Sequence, residues 1–394
     1  MDKRRGARLN NVLRVRIRRR PYEPDPVSTG EGSRKMRPIH ALAPLAPLVA
    51  LALAATGCST IGNGSSGDES TASPGGEPGR VVLVTHESFS LPKPLIKQFE
   101  QQSGYDLVVR ASGDAGILTN KLVLTKGDPL GDVAFGIDNT FASRALDEGV
   151  FAPYDAPLPD GADQYRLPGD DEHDLTPIDN ASVCVNVDDT WFADHHLAPP
   201  KTLDDLAAPE YQGLFVTPGA ATSSPGLAFL LSTIAAYGED GWQDYWARLM
   251  ENGTKLTAGW SDAYEVDFTQ GGGQGDRPIV LSYDSSPAFT VADGESSTSA
   301  LLDTCFRQVE YAGVLDGAAN PAGAEQLVDF LLSPEVQAAL PESMYVFPVD
   351  SSVQLPKEWA RFAKQPSDPF SVDPASIDEH RDEWLREWTD VTSR

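Results

Sequence analysis

The sequence predicts an α/β protein with largely parallel sheets, and three observations carry that prediction. Apolar, β-branched runs recur at residues 80–85, 107–110 and 132–137, as buried strands do. Each is followed by apolar residues at helical spacing: Leu95, Ile96 and Phe99, then Leu118, Leu122 and Leu124. Strands alternating with helices are the pattern of a doubly wound sheet. The composition agrees, with 40% hydrophobic residues, 34 Gly and 31 Pro among 394 residues. That is turn-rich globular material with room for two to three average domains.

Charge is unevenly placed. Residues 1–57 carry 12 Lys/Arg against 4 Asp/Glu, which leaves 19 basic and 54 acidic residues for the rest. A body this acidic repels nucleic acid and anionic lipid headgroups and attracts cations, although solubility alone also accounts for it.

Residues 1–35 are Arg-rich without an apolar period and read as a cytoplasmic extension or a misplaced start, since Met36 opens a better one. Arg37, the apolar stretch 41–55 and Ala-Thr-Gly-Cys at 55–58 form a positive region, a short apolar region and small residues before a cut. About 15 apolar residues are short of the roughly 20 a bilayer span needs. The residues before Cys58 resemble a lipobox, which implies that Cys58 is lipidated; a plain secretory signal is the alternative. Residues 59–79 are Gly/Ser/Glu/Pro-rich and read as a flexible tether.

In the folded part, His86-Glu87-Ser88, Ser112-Gly113-Asp114 and Asp138-Asn139 follow strand ends, where such sheets bind ligands. Each also fits a helix cap. Further strands are expected at 181–187, 214–217, 254–257, 278–282 and 305–314. Helices are expected at 227–237, 241–250, 322–332, 334–340 and 377–388. The pairs Trp242/Trp246 and Trp384/Trp388, spaced i, i+4, read as core. Ser223-Ser224-Pro225-Gly226 opens the first of these helices. That is a cap signature, and the same geometry makes an anion site.

The stretch 259–287 carries the binding chemistry. It begins Gly-Trp-Ser-Asp-Ala-Tyr and ends Leu-Ser-Tyr-Asp-Ser-Ser-Pro. Trp260 and Tyr283 each stand beside an acid, Asp262 or Asp284, and beside hydroxyls that include Ser285 and Ser286. Flat faces beside acceptors suit a flat, cationic, hydrogen-bonding ligand; ordinary aromatic core is the bland alternative. The glycines at 271–273 and 275 lack the Gly-Lys-Ser/Thr ending of a phosphate loop and read as a turn. There is no metal spacing, because Cys-x-x-Cys is absent and His195-His196 has no partner set. No nucleophile-and-base constellation argues for an enzyme, and no cofactor is expected. Cys184 and Cys305 remain as two thiols in an exported chain, which invites a disulfide; two buried free cysteines are the alternative.

The segments Thr85-His86-Glu87-Ser88-Phe89, Gly113-Asp114, Gly136-Ile137-Asp138-Asn139, Thr222 to Leu227, Gly259 to Tyr264, Leu281 to Pro287 and the tail 384–394 together resemble the thiamine-binding proteins of bacterial thiamine ABC transporters. The resemblance spans about residues 80–394. It implies a type II periplasmic-binding fold, in which two lobes of mixed, mostly parallel sheet flanked by helices are joined by hinge strands. The implied lobes are 80–180 with 306–345, and 181–305 with 346–394. It also implies a monomer, tethered outside the membrane, that hands thiamine or its phosphates to a membrane permease. The ligand set it implies is Asp114 and Ala115, Ser223 and Ser224, Trp260, Tyr283 through Ser286 (hence Asp284 and Ser285), and Tyr345. Ala115 stands where the family has glycine. An iron(III) binder of this fold needs paired tyrosines, which are absent, whereas Asp114, Asp262 and Asp284 keep a polyamine binder as the alternative.

Overall fold

Strand β1 (Arg80–Thr85) is Val-rich and buries five of its six residues. It pairs in parallel with β2 (Asp106–Ala111) on one side and β3 (Val133–Asp138) on the other. These residues come from a computed structural model of the chain that describes 79–394. The N-terminal extension, the signal segment, Cys58 and all of the tether but Gly79 lie outside the described residues. Helix α1 (Lys93–Ser103) connects β1 to β2; a proline opens it, and Gly104 at φ 75° closes it in the left-handed conformation. Helix α2 (Ala115–Leu124) connects β2 to β3 and begins at Asp114, whose carboxylate accepts the N–H of Ala115.

The chain then enters β4 (Thr176–Asp188), thirteen residues that are all buried. Next come β5 (Phe215–Pro218), α3 (Ser224–Tyr237), α4 (Trp242–Glu251), β6 (Lys255–Thr257), β7 (Ile279–Tyr283) and β8 (Thr298–Leu315). The strand order is β2-β1-β3-β8-β4-β7-β5-β6. The arrangement has two parallel halves, β2-β1-β3 and β7-β5-β6, bridged by two long antiparallel strands. Residues Glu310 to Val314 of β8 pair with β3, while Val183 to Val187 of β4 pair with β7. Each crossing strand thus serves both halves, giving the two-lobed α/β architecture of type II periplasmic binding proteins. The β4–β8 ladder shifts register between Leu301 and Phe306 and again between Glu310 and Tyr311. Cys184 and Cys305 form a disulfide beside the first shift.

Helix α3 is buried over its first eleven residues, so it reads as apolar throughout, without a polar stripe. Trp242 and Trp246 of α4 are fully buried. Trp246 meets Trp388 of the closing helix α5 (Pro374–Thr392) edge-on at 5.5 Å. Among the described residues no helix is long and apolar enough to cross a membrane.

Three local expectations shift. The strand expected at 305–314 begins at Thr298, because pairing with β4 carries its polar start. The closing helix begins at Pro374, since Asp373 caps it. Asp138 forms a turn, accepting the N–H groups of Thr140 and Phe141, and the helix follows only at Ala142.

Candidate functional site

The carboxyl ends of β1 and β2, the start of α3 and the segment after β6 converge on one cavity of about 250 Å³. Its wall from the second lobe is aromatic. Residues Asp262–Asp267 form a single π-helical turn, a feature common at functional sites. That turn lays Tyr264 on Trp260 with ring centroids 5.0 Å apart and planes 12° from parallel. Trp260 is fixed further by its indole N–H, which donates to the Ser282 hydroxyl at 2.9 Å. The Tyr283 ring lies 6.2 Å away, tilted 50°. Phe289 stacks on Tyr345, which reaches in from the other lobe. Tyr345 sits at φ 57°, a left-handed backbone that costs a non-glycine residue energy and that surrounding contacts must hold. The Ser285 hydroxyl supplies one such contact by donating to the Tyr345 carbonyl.

The first lobe's wall is polar. Asp114 is buried, and its two oxygens do different work. One accepts the N–H of Ala115 at 2.6 Å and the other accepts the N–H of Trp260 at 2.9 Å. The second bond crosses from one lobe to the other, as does the Ser88–Ser261 hydroxyl contact at 3.4 Å. Burial pushes the Asp114 carboxyl above the usual carboxylate range, and these N–H donors together with Ser223 and Ser224 oppose the push. The lobes meet closely here, because a Cβ on Gly116 would lie 2.8 Å from the Thr222 backbone. Gly136, at φ 92°, leaves the space that the His86 ring fills. Nearby, Glu87 is raised by partial burial and by the charges of Asp114 and Asp262.

Asp114, Ala115, Ser224, Trp260, Tyr283, Ser286 and Tyr345 all line the cavity. Ser223, Asp284 and Ser285 are buried beside it and do not line it. The N–H of Asp284 donates to the Ser182 carbonyl at 2.9 Å, and burial pushes its carboxyl up to about 7. Asp284 is thus an interior acid of the crossing, correcting its reading as a wall acceptor. The reason is geometric: Tyr283 ends a strand, so its neighbour's side chain takes the opposite face. Ser223 starts α3 without a side-chain capping bond.

Sequence reasoning missed Glu310, Glu265, Phe289 and Met344, which also line the cavity. Glu310 carried a usable signal, since it is an acid flanked by Val309 and Tyr311 in the apolar second half of its strand. The other three carried none. Among the described residues no cluster of His, Cys, Asp and Glu is suited to hold a metal ion. The cavity can therefore grip a planar cation between aromatic faces and satisfy its donors with carboxylates and hydroxyls.

Comparison with known proteins fits this geometry. Residues 128–366 match the family model described as bacterial extracellular solute-binding protein. The thiamine-binding periplasmic protein of Brucella melitensis is 30% identical over 327 residues, covering 80% of this chain and 92% of the relative. That of Escherichia coli K12 is 28% identical over 322 residues, covering 80% and 94%. Among solved structures, a periplasmic thiamin binding protein superposes with a TM-score of 0.70 at 27% identity, covering 80% of this chain and 96% of its own. The iron-bound HitA of Pseudomonas aeruginosa, at 22% identity and a TM-score of 0.62, shares the fold.

Proposed function

We propose, on the premise that this chain belongs to the bacterial extracellular solute-binding proteins and among them to the thiamine-binding periplasmic proteins, that it captures thiamine between its lobes and delivers it to the permease of an ABC transporter. The observation that carries the reading is Trp260, backed by the stacked Tyr264 ring, lining one cavity together with the buried carboxyls of Asp114 and Glu310. Thiamine joins a permanently charged thiazolium to an aminopyrimidine. The cation suits aromatic faces, and the amino group needs an acceptor. Phosphorylated forms would use the N-terminus of α3, where Ser224 lies. Asp114 bonds both lobes, so ligand contacts there favour the closed arrangement.

The protein acts as a monomer on the outer face of the cytoplasmic membrane, held by lipid on Cys58. Cys58→Ser should move it from the membrane to the soluble fraction of cells. A polyamine is the second reading, favoured by Glu87 and Asp262, which with Asp114 line a neighbouring pocket. Calorimetric titration with thiamine, thiamine monophosphate and spermidine separates the readings. One-to-one thiamine binding that Trp260→Ala and Asp114→Ala abolish supports the first. Silence with thiamine and a response to spermidine replaces it with the second.

A further inference from the structure

Glu310 occupies the cavity floor, and its neighbours across the sheet are unusual. In the β3–β8 ladder it stands opposite Asp138, and in the β4–β8 ladder opposite Asp179. Three carboxyl groups therefore lie abreast on three adjacent strands at the crossing between the lobes. All three residues are buried: Asp138 at 0%, Asp179 at 1% and Glu310 at 7% exposure. Among the described residues neither oxygen of Asp179 has a hydrogen-bond partner, nor does Oδ2 of Asp138. Asp138 Oδ1 is taken up by Thr140 and Phe141 and Glu310 faces His86, which leaves Asp179 without a hydrogen-bond partner among the described residues.

The groups facing Glu310 from other elements are few. They are the two aspartates, Tyr283 from β7, and His86 from the end of β1. The His86 ring is oriented by its neighbour, as the Ser88 N–H donates to Nδ1 at 3.2 Å. Its Nε2 lies 3.4 Å from Glu310 Oε1. Arg307, the nearby guanidinium, faces Asp284 and Tyr165 instead. No Lys or Arg lines the cavity. Three adjacent buried carboxyls cannot all ionise without a compensating cation, and Glu310 opens onto the ligand cavity.

We propose that Glu310, steadied by His86, is a further ligand-recognition residue that serves as counter-ion to the ligand's cationic ring, and that capture of the cation expels a proton from the Asp138–Glu310–Asp179 row. One carboxyl O–H bond breaks, the proton passes to solvent, and the ligand's positive charge takes its place. The charge of the closed site is unchanged. A neutral isostere of the ligand gains nothing from the exchange, so the row discriminates by charge. Burial supports the protonated starting state, since it raises Glu310 and pushes Asp179 up to about 8. The ligand assignment in this inference rests on the thiamine reading; the proton exchange requires only a cation.

The experiment is calorimetric titration of the full chain at pH 7.5 with thiamine and, separately, spermidine. Each titration is run in two buffers that differ in ionisation heat, so that the difference counts protons. Thiamine should bind with release of roughly one proton. In Glu310→Gln, which keeps the shape of the protonated side chain, the release should vanish and Kd should rise about tenfold to a hundredfold. An unchanged thermal midpoint shows that this variant is folded, and the proton count of the unaltered chain needs no variant. Thiamine binding with no proton released and no change in Glu310→Gln overturns the role of Glu310 and leaves the thiamine reading intact. Spermidine binding with proton release, and no thiamine binding, overturns the ligand and keeps the exchange. Binding of neither cation overturns both.

Discussion

The two walls of the cavity are built in opposite ways. The second lobe's wall is local: Trp260 lies four residues before Tyr264, which a π-helical turn lays on it, and Tyr283 ends the next strand in the sequence. The first lobe's wall is assembled at long range from His86, Asp114, Glu310 and Tyr345. The local wall supplies shape and polarisable faces, which tolerate a range of flat cations. The assembled wall supplies charge, and it exists only when the strand ends are brought together by the sheet. Affinity for flat cations is therefore expected to follow the local wall, and linkage to pH the assembled one.

The same contrast explains what the sequence shows and what it hides. The β/α alternation is legible because buried strands and amphipathic helices each have their own period. The aromatic motif is legible because it is contiguous. The carboxyl row is not, because residues 138, 179 and 310 become neighbours only through strand order. Ser223, Asp284 and Ser285 have the right residue types beside lining positions but do not line the cavity themselves, which depends on side-chain direction at a strand or helix end. The helix start at Ser223-Ser224 also reads as a self-capped terminus. In the structure Ser223 makes no capping bond, and it is Asp114 from the other lobe that packs against that end.

Removing the local wall should have the largest effect. Trp260→Ala deletes the stack on Tyr264 and the indole bond to Ser282. The expected loss is roughly 3 kcal/mol of binding, about a hundredfold in Kd for thiamine. Because Trp260 is only half-buried, stability should change little. Calorimetry together with a melting curve checks both halves; retained affinity would mean that the aromatic wall is only core.

The disulfide tests whether the crossing under the local wall is rigid for its own sake. Cys184 and Cys305 are 121 residues apart in sequence, so their bond constrains a large loop of the unfolded chain. The double variant Cys184→Ala/Cys305→Ala should lose about 2–4 kcal/mol of stability, read as a lower urea midpoint. Thiamine affinity should stay close to that of the parent, since neither residue lines the cavity.

The assembled wall should show itself through pH. Burial pushes Asp138 up to about 6, Asp284 up to about 7 and Asp179 up to about 8. The folded state thus holds these protons more tightly than the unfolded chain, whose carboxyls titrate near 4. The stability they contribute is complete below that range and is lost as pH rises through about 6 to about 8. Melting temperature should accordingly be clearly higher at pH 5 than at pH 8. Asp179→Asn should flatten the curve. A melting temperature that rises across this window would show that the acids are paired in a way the structure does not contain.

The seam between the walls gives the smallest effect and the sharpest contrast. Gly116 lies on the first lobe where a Cβ would meet the Thr222 backbone of the second at 2.8 Å and the Phe141 ring at 2.9 Å. Helical geometry alone favours alanine here by about 1 kcal/mol, which offsets the shift the Phe141 ring must make, so Gly116→Ala should leave each lobe with roughly its parent stability. The backbone clash arises on closure, because Thr222 belongs to the opposite lobe, whereas the contact with the Phe141 ring lies within the first lobe. The variant should bind thiamine about tenfold more weakly, the equivalent of roughly 1.4 kcal/mol. Ligand should also compact it less in small-angle scattering. Since closure brings Asp114 onto the Trp260 N–H, an open-held variant keeps the aromatic wall and loses the charged one. If Gly116→Ala binds and compacts like the parent, the two walls act independently, and the interlobe bond of Asp114 is a consequence of closure without being a source of affinity.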